Sequence, residues 1–185
     1  AHANVRYSAI QKLSRLKDKQ LITVFEKALG DSSYATAAEA LKAIQVIDTV
    51  AAVRYAAMFE SENNYEMTDA VCGIYAADAS EKFQTFFEKK FTTVKGYAKY
   101  TLMYHYANFL THMKKDLAIK GIDILKNQAL STETKLLASA GKGSIKRLVK
   151  SFEEKKKEAQ KIIDDEKQKD KGDAATLISD YDLII

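Results

Sequence analysis

The sequence predicts an all-α protein: an antiparallel multi-helix bundle around one central buried helix, with a long charged C-terminal helix as an arm. Three observations carry this expectation. Proline is absent from all 185 residues, where a usual frequency of about 5% would supply roughly nine, and proline is the residue helix interiors exclude. Apolar residues recur at steps of three and four over most of the chain. The seven glycines fall mostly between such segments and punctuate them.

Val5 to Leu29 places Ile10, Leu13, Leu16, Leu21, Val24, Phe25 and Ala28 at helical spacing, with Asp18 as an internal cap and Gly30 as a stop. Thr36 with Glu39 has the form of a capping box. From there one long helix is expected to Phe59, because no breaker interrupts it and Leu41, Ile44, Ile47, Ala51, Arg54 and Met58 mark one side. Its many alanines allow close approach of neighbours. Asn63-Asn64 reads as a turn, and Glu66 to Ala77 as a shorter helix with Met67, Val71, Ile74 and Tyr75 inward. Ser80 starts a helix whose aromatic face is Phe83, Phe86, Phe87 and Phe91, and Gly96 separates it from the next.

That next stretch, Val94 to Lys120, is the expected central helix. Met103, Tyr106, Leu110, Met113 and Leu117 form one stripe, and Tyr97, Tyr100, Leu102, Tyr104 and Phe109 fill other faces. A helix apolar nearly all round is normally covered on most sides. Gly121 precedes a short piece with Ile122, Ile124, Leu125 and Leu130; Ser131-Thr132 opens another, and Gly141-Lys142-Gly143 reads as a hinge. Beyond it, Ile145, Leu148, Val149, Phe152, Ala159, Ile162 and Ile163 make a narrow seam on a Lys/Glu/Asp-rich helix, the pattern of a helix lying along one or two partners. Asp164 to Lys171 carries no core residue and is expected to extend as a solvated helix end closed by Gly172; the last residues are apolar again. The expected division is a bundle domain, 1–140, and a C-terminal arm and tail, 141–185, or one continuous domain. No internal repeat of solenoid period is evident.

Composition sets outer bounds. Nearly half apolar and over a quarter charged, the chain has globular rather than disordered composition. A net charge of +4 is mild for a polyanion-binding domain. The single cysteine, Cys72, forms no internal disulfide and weakly favours a reducing intracellular or organellar compartment. No apolar run approaches a bilayer span. The chain begins at Ala1 rather than Met, which suits a processed leader or tag.

Candidate chemistry is sparse. His105 and His112 lie seven residues apart on one face, about 10 Å along the axis, too far for one metal ion without further ligands. Asp116 sits one turn beyond His112, within reach of a hydrogen bond, and His2 carries no weight. Cys72 among Val71, Ile74 and Tyr75 reads as a small buried hydrophobe. Gly141-Lys142-Gly143-Ser144 lacks the remainder of a phosphate loop, although a helix start there with Lys142, Lys146 and Arg147 would suit an anion. Lys155-Lys156-Lys157 invites a nucleic-acid reading, but Glu153, Glu154, Glu158, Asp164 and Asp165 interleave with it and would repel phosphate. No catalytic set, metal site or cofactor is expected.

Phe87-Glu88-Lys89-Lys90-Phe91, followed by a Lys/Glu helix and an acidic, aliphatic end, resembles subunit d of the mitochondrial ATP synthase stalk. The likeness covers only those few low-complexity residues and stands as one example of the scaffold class. The first functional expectation is therefore a non-catalytic structural or interaction protein, an accessory or scaffold subunit. It would dock on other subunits, or on copies of itself, through Ile145, Leu148, Phe152, Ala159 and Ile162 of the arm and Leu177, Ile178, Tyr181, Leu183 and Ile184 of the tail. The alternative is a carrier of an apolar or aromatic ligand between helices 80–94 and 97–113, in a pocket of Phe83, Phe87, Phe91, Tyr97, Tyr100, Tyr104 and His105. A lesser alternative is a weak nucleic-acid binder using the basic arm.

Overall fold

A computed structural model of the chain describes residues 2–165 and 171–185. They form α-helices joined by short turns, with no strand among the described residues. The chain divides into two compact units, Ala1–His105 and Tyr106–Ile185. The domain boundary expected at 140/141 instead falls within a continuous helix.

The first unit contains α1 (Ala3–Ser14), α2 (Ile22–Ala28), α3 (Tyr34–Ile47), α4 (Thr49–Ala56), α5 (Tyr65–Asp78) and α6 (Gln84–Thr93). Its organising element is α3, which packs against α1, α2, α4 and α5. Ala37, Ala38, Ala40, Leu41, Ala43 and Ile44 are all buried along it. Small side chains on several faces let four neighbours approach one axis, which a leucine-rich stripe on one face would not. Asp18 caps the 3-10 turn Lys19–Leu21 through the Gln20 N–H, 2.9 Å away, as its position suggested.

Two expectations for α3 and its successor are corrected. The capping box is not used: α3 begins at Tyr34, before Thr36, and Asp31 accepts from the Ser33 N–H at 2.8 Å in the preceding turn. The same Asp31 carboxylate takes the Arg6 guanidinium at 2.6 and 2.8 Å, which ties α1 to that turn and holds the carboxyl down at a pKa of about 2. The single helix expected from Thr36 to Phe59 breaks at Asp48, whose backbone is extended (φ −149°, ψ 98°). Its side chain accepts from the Ala51 N–H at 2.9 Å. Aspartate competes well for a helix start, and a new start can turn the chain without Gly or Pro.

Helix α7 (Gly96–Leu110) crosses the division between the units. Leu102, Met103, Tyr106, Phe109 and Leu110 on it are fully buried. The stretch 94–120 is two helices rather than one. After Leu110 the N–H groups of Thr111, His112 and Met113 bond three residues back, tightening the last turn. Lys114 is then extended and α8 (Lys115–Leu130) starts afresh. Gly121 lies inside α8, not before it: a β-carbon there would fall 2.2 Å from Leu110 Cδ2. The glycine is a contact point for the end of α7.

Thr134 caps α9 (Lys135–Asp164) through the Leu137 N–H at 3.3 Å. This helix of 30 residues spans about 45 Å and runs without a break through Gly141 and Gly143, so the expected hinge is absent. Gly141, Ser144, Leu148, Phe152 and Ala159 form its buried side. Helix α10 (Lys171–Ile184) lies along α9 and also touches α8. The spacer expected over Asp164 to Lys171 falls largely on 166–170, outside the described residues; α9 itself ends at Asp164.

Candidate functional site

Helix α10 is amphipathic with respect to its own unit. Ala174 is buried, Ile178, Tyr181 and Ile184 are half-covered, and the Tyr181 ring centroid lies 5.9 Å from that of Phe152. Lys115 to Asp180, at 3.2 Å, and Lys156 to Asp182 pin the helix electrostatically. Leu177, Leu183 and Ile185 keep 45%, 60% and 48% of their surface exposed, and Ile162 at the end of α9 keeps 40%. The arm residues divide accordingly. Leu148, Phe152 and Ala159 are covered within their own unit and Ile145 half-covered, so they build the arm rather than offer a docking surface.

A cleft of about 480 Å³ opens between α10 and the turn before α8, lined by His112, Lys115, Lys155, Leu177, Tyr181 and Ile184 among others. Lys155 donates to the Thr111 carbonyl, and burial lowers its pKa. Burial, then the charge of Lys155, lowers that of His112. No hydrogen bond joins His112 to Asp116. With Lys155 on a carbonyl and Lys156 on Asp182, two of the three adjacent lysines are committed internally. The Gly141–Ser144 stretch sits in mid-helix, where backbone N–H groups are already bonded and cannot hold an anion.

The aromatic residues of the first unit are mostly packed. Phe83, Phe87 and Phe91 are buried. Phe83 stacks on Tyr75 at 3.8 Å between centroids, and Phe86 meets Tyr75 edge-on at 4.9 Å. Tyr100 and Tyr104 are half-covered, and Tyr97 is 65% exposed and so walls no enclosed space. His105 Nε2 lies 2.9 Å from Asp69 Oδ1, and Lys42 takes the other carboxylate oxygen. The His105 hydrogen bond, with Lys42, holds the Asp69 carboxyl at a pKa of about 2 against the opposing effect of burial. Gly73 makes room for the ring: a β-carbon there would stand 3.2 Å from His105 Cε1. No nucleophile completes this pair, because Cys72 is fully buried and burial pushes its thiol far up. Among the described residues, no group of three or more His, Cys, Asp or Glu could hold a metal ion.

One residue the sequence reading passed over is Lys90. It is only 5% exposed, and its ammonium donates to the Glu60 and Glu62 carbonyls at 2.6 and 2.5 Å. A signal was present: seven residues from Phe83 and three from Phe87, Lys90 falls on the same helix face as the core phenylalanines.

Comparison with protein-family models, curated proteins and solved structures finds no match to this chain. The likeness of 87–91 to an ATP synthase stalk subunit finds no counterpart there. The fold defines the class, an all-α helical bundle, and no family narrower than that. Among the described residues, no helix is long and apolar enough to cross a membrane.

Proposed function

We propose that this protein is a non-catalytic accessory or scaffold subunit that docks on protein partners through its C-terminal helix. The observation that carries the reading is the apolar surface that α10 leaves exposed. After the helix has packed on α9, Leu177, Leu183 and Ile185 still expose about half their surface. Apolar surface at the end of a helix that is already docked adds nothing to the unit's own core, and grouped apolar exposure is what a partner interface uses. The tail's aspartates Asp180 and Asp182 are engaged by Lys115 and Lys156, so they orient the helix and leave recognition to its leucines.

The test is a paired measurement on the full chain. Light scattering and cross-linking, alone and with native extract, compare the wild type with a Leu177→Asp/Leu183→Asp variant. The expected result is self-association or partner capture that the variant loses while keeping its melting temperature. A wild type that stays monomeric and captures nothing would sink the reading. So would a variant that unfolds, because those leucines would then belong to the core.

A further inference from the structure

The first unit carries an open groove of about 760 Å³ between α6 and the loop that follows the 3-10 turn Ala57–Phe59. Its lining combines Lys82, Lys89 and Lys90 with Phe83 and Phe86 and the polar side chains of Ser61 and Asn63. We infer that this groove binds a small organic anion, with a phosphate or carboxylate group held by the exposed Lys82 and Lys89 beside the buried charge of Lys90, and an aromatic or apolar part against Phe86.

The argument starts from Lys90. A buried ammonium is costly unless its charge and all three N–H groups are satisfied. Lys90 has two backbone carbonyl acceptors and no carboxylate within ion-pair distance. The carboxylates of the same two residues make no hydrogen bond to it and accept instead from tyrosine hydroxyls: Glu60 from Tyr75 at 2.6 Å and Glu62 from Tyr34 at 2.8 Å. Burial lowers the Lys90 pKa against the opposing charges of the nearby Glu62 and Glu60. Lys82 and Lys89 stand exposed on the same wall; Lys82 lies 4.7 Å over the Phe83 ring, and neither is in an ion pair. Against these three cations the lining holds one acid, Glu60.

The apolar half of the site follows from ring packing. Phe83 is covered by Tyr75 on one face and by the Lys82 ammonium; the apolar wall is the half-exposed Phe86 ring, with the Lys90 ammonium 5.9 Å from its centroid. The groove is of the size that small-molecule sites usually have. A polynucleotide fits less well, because one accessible ring offers no platform for successive bases. This site lies in the first unit and does not depend on the docking role of α10.

Phenyl phosphate is the probe, titrated into the full chain by calorimetry and by amide NMR, with inorganic phosphate and neutral phenol as partial ligands. The expected result is one saturable site for phenyl phosphate, with shifts centred on Ser61, Asn63 and Phe86. Each partial ligand should bind about tenfold or more weakly. Lys82→Gln and Lys89→Gln are surface changes that keep the fold, and each should weaken binding about three- to tenfold. Failure to saturate by roughly 10 mM, below the weakest affinity a built site shows, would overturn the proposal. Equal binding to the Lys82→Gln/Lys89→Gln double variant, or shifts confined to other surfaces, would overturn it as well.

Discussion

Gly121→Ala is the sharpest test of how α7 meets α8. The added methyl would lie 2.2 and 2.8 Å from the two Leu110 methyls and 2.9 Å from the Tyr106 hydroxyl. Carbon atoms in contact prefer about 3.5–4 Å, so Leu110 or the helix must yield by over an ångström. Both neighbours are fully buried, so neither swings into solvent. Overpacking of this kind costs about 1–3 kcal/mol, while replacing glycine inside a helix returns about 1 kcal/mol. Contacts as close as 2.2 Å put the cost in the upper part of that range, about 2–3 kcal/mol, so the net expectation is a loss of about 1–2 kcal/mol, seen as a fall of roughly 2–8 °C in melting temperature for a chain of this size. Gly143→Ala is the matched control. It also lies inside a helix, but its new methyl meets only Arg147 Nη2 at 3.7 Å, an ordinary contact. It should gain about 0.5–1 kcal/mol and melt roughly 1–4 °C higher. Far-UV circular dichroism melts of both variants decide the matter. If Gly121→Ala melts at or above the wild type, α7 and α8 do not meet at this glycine, and the account of the second unit's core is wrong.

Three further predictions follow from the first unit. Asp69 stays ionised down to about pH 2 when folded, against an ordinary value of 3.8; its contribution, on the order of 2 kcal/mol, is complete above about pH 5 and fades as pH falls through about 2. Asp69→Asn should flatten urea stability across that window, and an unchanged slope would remove the carboxylate's role. Cys72 should resist thiol reagents in the native protein and react fully in denaturant; rapid native labelling would contradict its burial. Ala79 ends α5 in the left-handed region at φ 53°, so Ala79→Gly should stabilise by about 0.5–1 kcal/mol, read as a raised urea midpoint.

The all-helical class was legible because it depends on local quantities: no proline, and apolar spacing of three and four. Some caps were local too, as at Asp18. Where the reading failed, two local signals competed. Asp48 offered a helix start inside a run that propensity would have continued, and nothing short of packing decided between them. The glycines at 121, 141 and 143 read as breaks, because sequence alone does not distinguish a glycine that ends a helix from one that lets a neighbour approach.

What the amino-acid order determined alone is which segments can be helical and which of their faces are apolar. What the tertiary structure decided is which apolar faces meet each other, and therefore which remain uncovered. Leu148 and Leu177 look alike in the sequence, yet one is buried and the other is 45% exposed. The same holds for Lys90, whose ammonium is drawn inward by two carbonyls about thirty residues away. Helix periodicity is written in neighbours three and four apart, whereas burial depends on contacts between residues distant in the chain, which no local pattern records.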